Sequence, residues 1–174
     1  MKKTNQKGFT LIELLVVIAI IGLLSTLAVV ALNNARQKSR DAKRVADAKQ
    51  IQTALEMYFN ECSAYPSQAA GSLLTTSQAA SGECRSGGSN PTTFGKYMAQ
   101  IPTAPTPADG SCDATTDNPY RYISCNATGS TCAATEIASY VMEFCLGGTT
   151  GQLSAGSNYI VPSGTVSNAG SSGL

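Results

Sequence analysis

The sequence predicts an α+β protein: one long N-terminal α-helix, its first half suited to crossing a membrane, packed through its second half on a small antiparallel β-sheet head with long disulfide-bonded loops. Three observations predict it. Residues 9–32 form an apolar run of 24 residues with a single charge, Glu13. Residues 33–65 contain neither Pro nor Gly and repeat apolar side chains at spacings of three and four. Past residue 119, short alternating segments follow one another between turns.

The apolar run justifies the first element. A helix of 24 residues covers about 36 Å, enough for a hydrocarbon core of about 30 Å. Ahead of it stands a leader, residues 1–8, with Lys2, Lys3 and Lys7 and no acid. A secretory signal peptide has a shorter apolar core, ending in a small-x-small cleavage site, whereas here Asn33, Asn34 and Arg36 follow. A plain anchor leaves Glu13 unexplained, because an ionised carboxylate in hydrocarbon costs on the order of 3 kcal/mol. A cut between Gly8 and Phe9 would resolve this. The new α-ammonium would lie near Glu13, which would itself sit in the first helical turn, where the dipole favours an anion.

The segment Lys7-Gly8-Phe9-Thr10-Leu11-Ile12-Glu13-Leu14-Leu15 resembles the class III signal of type IV pilins and type II secretion pseudopilins, and the resemblance extends to about Phe59. It implies a prepilin peptidase that cuts between Gly8 and Phe9 and N-methylates Phe9, with Glu13 as the assembly residue that neutralises a neighbouring subunit's amine. It also implies a pilin-like lollipop: cleaved leader 1–8, membrane and assembly helix 9–32, amphipathic continuation 33–60, globular head 61–162, and a flexible Gly/Ser tail 163–174. Many relatives carry a proline in the second half of the apolar helix. Here none precedes Pro66, so no proline kink is expected, and Gly22 reads as a small residue for close helix packing.

In the continuation, Val45, Ala48, Ile51, Ala54, Leu55, Tyr58 and Phe59 form one apolar face, which should bury Ile51, Leu55 and Tyr58 against the sheet. The basic residues Arg36, Lys38, Arg40, Lys43 and Arg44 read as a solvated face touching lipid headgroups, with Lys43 and Asp47 as an i, i+4 pair. Residues 1–50 carry nine Lys/Arg against three acids, while residues 51–174 carry three against eight. Counting Lys and Arg around the apolar run would keep the C-terminal part inside. The cysteines and the resemblance outweigh that count, giving an inner-membrane protein with its N-terminus inside and its head outside, then an extracytoplasmic or cell-surface filament.

The head begins with loops rich in Ser, Thr, Gly and Pro from Cys62 to Pro119, with a short helix around Gly95 to Ile101. Tyr120–Cys125 and Ile137–Leu146 read as a hairpin, with a third strand at Asn158–Val161. Cysteines 62, 84, 112, 125, 132 and 145 lack C-x-x-C spacing, which favours disulfides over zinc. Six cysteines allow 15 pairings; Cys62–Cys84, Cys125–Cys132 and Cys112–Cys145 are expected. The major pseudopilin subfamily often binds calcium, for which Asp109, Asp113 and Asp117 are weak candidates. No other cofactor is expected.

Histidine is absent, which removes the usual base near neutral pH and the Ser-His and Cys-His pairs. No base, metal cluster or phosphate loop points to catalysis, so an enzyme is not expected. The expected function is a structural subunit of a type IV pilus-like filament or secretion pseudopilus, stored in the membrane and polymerised through its helix. Its expected partners are itself and related pilins, the prepilin peptidase, the inner-membrane assembly platform and membrane lipid, with no specific nucleic acid. The alternative is a single-pass anchored binding protein with a disulfide-rich extracytoplasmic head.

Overall fold

The structure, a computed structural model, describes residues 8–68, 72–74, 93–112, 119–126, 132–133 and 137–167. The chain divides into two units, residues 1–36 and 37–174. One helix, α1 (Leu11–Cys62), of 52 residues, runs through the boundary. It matches the expected length but is shifted two residues along the chain. At its start the Thr10 side chain caps the first turn, so Phe9 and Thr10 are not helical. At its end Ser63 takes a left-handed conformation with φ 51°, and its N–H donates to the Phe59 carbonyl at 2.7 Å. Such a cap usually falls on Gly, and its absence hid the true end at Cys62.

In the first unit α1 passes straight through Gly22, and no heavy atom lies within 4 Å of where a Cβ would stand there. Two polar side chains in the apolar run satisfy themselves locally. Ser25 donates to the Ile21 carbonyl at 2.7 Å and Thr26 to the Leu23 carbonyl at 2.8 Å, so neither hydroxyl needs a partner from outside the helix.

In the second unit five strands form an antiparallel sheet in sequence order: β1 (Ser72–Leu73), β2 (Arg121–Cys125), β3 (Ser139–Leu146), β4 (Gly156–Val161) and β5 (Gly164–Ser167). The register places Tyr122 opposite Met142, Phe144 opposite Asn158, and Ile160 opposite Thr165. Strand β3 alternates, with Tyr140, Met142, Phe144 and Leu146 buried. These four join Ala48, Ile51, Ala54, Leu55 and Tyr58 of α1 in one apolar core. Full burial of each large side chain contributes about 1.5–3 kcal/mol. Phe59, Tyr65, Tyr140 and Tyr122 form an aromatic row across this core, with successive ring centroids 4.6, 4.8 and 5.8 Å apart.

Four expectations need correction. Strand β1 lies in a stretch read as loop, since two residues are too few to show a period. The short helix of residues 95–101 is a single 3-10 turn, Phe94–Lys96, anchored by the fully buried Phe94 ring beside Tyr58. The tail expected from residue 163 instead begins with strand β5. Gly164, at φ 134°, turns the chain back in a conformation that only glycine adopts readily, and Val161 pairs with Gly164. The Lys43–Asp47 helix pair is replaced by a bond to the residue preceding β2, because Asp47 is buried and accepts from the Tyr120 hydroxyl at 2.8 Å.

Cys112 is joined to Cys145, the expected loop-to-strand pair, and Cys125 to Cys132, also as expected. Cys62 is also disulfide-bonded; Cys84, its expected partner, lies outside the described residues.

Candidate functional site

Two arrangements concentrate the polar chemistry of the chain, one at the tip of α1 and one where its middle meets the head. At the tip, Thr10 and Glu13 cap each other. The Thr10 N–H and hydroxyl both donate to Glu13 Oε2, at 2.8 and 2.7 Å, and the Glu13 N–H donates back to Thr10 Oγ1 at 3.3 Å. This is the reciprocal box of a Thr-x-x-Glu sequence, and it satisfies N–H groups that a helix start leaves open. Gly8 and Phe9 precede it outside the helix, with Phe9 89% exposed. A side chain at Gly8 would meet nothing within 4 Å, so the fold itself does not demand glycine there.

The same tip opens a surface that the chain leaves uncovered. None of the most apolar 18-residue window of α1 is buried, and Leu11, Ile12, Leu14, Leu15, Leu23 and Leu27 are each more than half exposed. Large exposed apolar area on this scale marks a membrane or assembly surface.

The second arrangement lies three turns into the continuation. Extending the three-and-four spacing backward from Ala48 leads to Arg44, Asp41 and Gln37. Arg44 and Asp41 are buried almost completely, and with Asp47 they are the buried charged side chains of α1. Arg44 donates to Asp41 Oδ1 at 2.8 Å and to Asp109 Oδ2 at 3.2 Å. Its other amino nitrogen reaches the carbonyls of Pro105 at 3.1 Å and Pro107 at 3.4 Å. Arg40 grips both Asp109 oxygens, at 2.6 and 2.5 Å, a bidentate geometry that adds direction as well as strength. The Arg40 bonds, joined by those of Arg44, hold the Asp109 carboxyl below its usual value against the opposing effect of burial.

Asp41 completes the knot from the other side. Its two oxygens accept the backbone N–H groups of Gly147 and Gly148, each at 2.9 Å. The chain can come this close only because Gly110 and Gly147 meet backbone to backbone. A Cβ on Gly147 would stand 2.2 Å from the Asp109 Cβ, and one on Gly110 would stand 2.3 Å from the Gly147 carbonyl oxygen. Three segments, α1, the loop through Asp109 and the end of β3, are thus tied by charge.

Sequence reasoning missed this knot. It gave Arg40 and Arg44 to a solvated basic face, although the helical period already placed Arg44 and Asp41 on the buried side. Asp109, one of the weak calcium candidates, has both carboxylate oxygens engaged by the Arg40 and Arg44 guanidinium groups. Asp113 and Asp117 lie outside the described residues. Among the described residues no group of three His, Cys, Asp or Glu side chains could hold a metal ion. Arg36, Lys38 and Lys43 remain exposed.

Comparison with known proteins agrees with the tip and with the head. The family described as Prokaryotic N-terminal methylation motif matches residues 3–29. Type II secretion system core protein G of Aeromonas hydrophila is 33% identical over 125 residues, 71% of this chain and 77% of that protein. The protein of the same description from Klebsiella michiganensis is 41% identical over 66 residues, 38% of this chain and 46% of its own. Type IV major fimbrial protein FimA of Dichelobacter nodosus is 42% identical over 62 residues, 34% of this chain and 39% of its own. No solved structure matches the chain significantly.

Proposed function

The chain belongs to the type IV pilin and type II secretion pseudopilin family, whose members are structural subunits processed at the N-terminus and polymerised through the helix, and from that premise we propose that it is a pseudopilus-type subunit, cut between Gly8 and Phe9 and N-methylated at Phe9. The observation that carries this reading is the uncovered apolar surface of α1. A helix exposed on every side is buried by lipid while the subunit is stored and by other such helices once it has polymerised.

Two further features support the details. Among the described residues the glycine at position 8 meets no packing need, which suits a requirement set by a peptidase. Glu13 stands one turn from the proposed new amine and is available to it, or to a neighbouring subunit's amine, if it leaves Thr10. The match to the Aeromonas secretion protein takes in head as well as helix, whereas the fimbrial match covers about a third of the chain; this favours a secretion pseudopilus over a pilus. The partners under this reading are copies of the chain and related pseudopilins, the prepilin peptidase and the inner-membrane assembly platform. The N-terminus lies inside and the head outside, and the role is structural rather than enzymatic.

Intact mass and N-terminal peptide mapping of membrane-derived protein, from cells containing a prepilin peptidase, test the reading. A mature chain beginning at N-methylated Phe9, together with exclusion of Glu13→Ala from sheared filaments, is expected. A chain that keeps residues 1–8, or one cut after Leu32, would replace the filament subunit with an anchored or secreted binding protein.

A further inference from the structure

The buried knot changes what the rest of the basic segment can do. Of the charged residues between positions 37 and 50, Asp41, Arg44 and Asp47 are buried, and Arg40 is committed to Asp109. Lys38, Lys43 and Lys49 are exposed, and among the described residues none of them forms an ion pair. The exposed residues between them, Ser39, Ala42 and Ala46, carry no charge and are small. Folding therefore removes both acids of this stretch from the surface and leaves its outward side purely cationic.

We propose that Lys38 and Lys43 form a collar that binds the headgroups of anionic phospholipids in the leaflet from which α1 emerges. The inference rests on the reading of residues 9–32 as a membrane-stored helix. Counted along α1 from Leu32, Lys38 stands about 9 Å and Lys43 about 17 Å further on, at 1.5 Å per residue. The headgroup layer takes up roughly the first 5–7 Å of that distance. Helical side chains lean toward the N-terminus of their helix, which here is the membrane side, so a lysine stem of about 6 Å brings both ammonium groups to within a Debye length of about 8 Å from the lipid phosphates. Lys49 lies about 26 Å past Leu32. It falls outside that range and serves as an internal control of the same chemistry and exposure.

The choice of lipid over nucleic acid follows from this gradient. A polyphosphate lying along the helix would use Lys38, Lys43 and Lys49 alike, whereas a membrane surface reads only the residues near it. An acidic head of a second copy is less well supplied: of the described head acids, Glu61 is engaged by Lys96 and by the Tyr97 hydroxyl, and Glu143 accepts from Tyr159 at 3.4 Å.

Native mass spectrometry of the full chain in neutral detergent, titrated with phosphatidylglycerol or phosphatidylcholine, tests the collar. The unaltered chain should carry phosphatidylglycerol over phosphatidylcholine by at least about fivefold, the effect of one lysine at a lipid surface. In an Arg36→Gln background, which removes the other exposed cation beside the apolar run, the double variant Lys38→Gln, Lys43→Gln should lose that preference and Lys49→Gln should keep it, each with unchanged helical circular dichroism and intact disulfide mass. Equal binding of the two lipids by the unaltered chain overturns the proposal. So does a Lys49→Gln loss as large as that of the double variant, or displacement of the lipid by duplex DNA with all three lysines contributing equally. Because the readout is taken on unassembled protein, its failure is separate from failure of Glu13→Ala to block filament entry.

Discussion

Asp41 and Arg44 stand one turn apart on α1, both turned inward and paired at 2.8 Å, with side-chain exposures of 1% and 0%. Charges this deep persist only when they are paired and hydrogen-bonded, and here the further partners come from two distant segments. Removing one partner of such a pair costs about 3–5 kcal/mol because the other is stranded. Arg44→Met should therefore lower the thermal midpoint of the full chain in detergent by many degrees, while exposed Lys43→Ala should shift stability by no more than about 0.5 kcal/mol. Equal midpoints for the two variants would refute a structural role for the knot.

Acid should loosen the same knot. The Asp109 carboxyl is held below its unfolded value by Arg40 and Arg44. Between the folded and unfolded values the unfolded chain binds more protons, so stability rises with pH through that window and is lost as pH falls through the folded value. Urea midpoints measured from pH 6 downward should decline below about pH 4, and Asp109→Asn should be less stable at pH 6 and flatter below it.

Alkali should act through the tyrosines. Burial raises the phenols of Tyr65 and Tyr140, with Glu56 adding to both; burial first and then Asp47 raise Tyr120. These groups contribute stability fully below the unfolded value near 10, and that contribution is lost as pH rises through their higher folded values. Absorbance at the phenolate band should show these residues ionising together with loss of tertiary circular dichroism. Independent titration near pH 10 in the folded chain would contradict their burial.

Gly147→Ala should be costlier than any exposed alanine substitution. The new methyl would enter the space of Asp109, whose Cβ stands 2.2 Å away, so the loop must retreat and take its carboxylate from the arginines. A loss comparable to Arg44→Met is expected in the same melts. Gly151→Ala supplies the contrast: its φ of 62° is itself unfavourable to a side chain, but a Cβ there meets nothing within 4 Å, so only the conformational cost of about 1 kcal/mol remains.

The two described disulfides should differ in weight. Cys112–Cys145 spans 33 residues and Cys125–Cys132 spans 7, and in the chain-entropy view the longer loop gains roughly 1 kcal/mol more from closure. Paired serine substitutions, Cys112→Ser with Cys145→Ser against Cys125→Ser with Cys132→Ser, measure this by denaturant midpoints. The first should be the less stable by more than that margin, since its bond also tethers the loop that carries Asp109.

The stem was legible because its signals are long and periodic: 24 apolar residues followed by a three-and-four spacing that correctly assigned Ile51, Leu55 and Tyr58 to the core. The longer strands were legible from alternation, as at Tyr140, Met142 and Phe144. What could not be read depended on partners far away in sequence. Asp109 is 69 residues from Arg40, and without that contact a run of arginines looks like a solvated surface. Strand β1 is too short to carry a pattern, and β5 begins at a glycine inside what reads as a Gly/Ser tail. The family resemblance located Glu13, but its bonds to Thr10 arise from local Thr-x-x-Glu chemistry that the sequence also displays.

That cap lies wholly C-terminal to the proposed cut. Thr10 and Glu13 both remain in a chain that starts at Phe9, and the helix begins at Leu11, past the proposed cut, so the cut removes no helical residue. The bond between Gly8 and Phe9 also sits in non-helical backbone, open to a peptidase without unwinding any turn. Processing on this geometry is a change of charge rather than of shape. On the proposed cut, three lysines and the original α-amine leave and one new amine arrives, so electrostatics at this tip, rather than a change of fold, would govern when a stored subunit joins others.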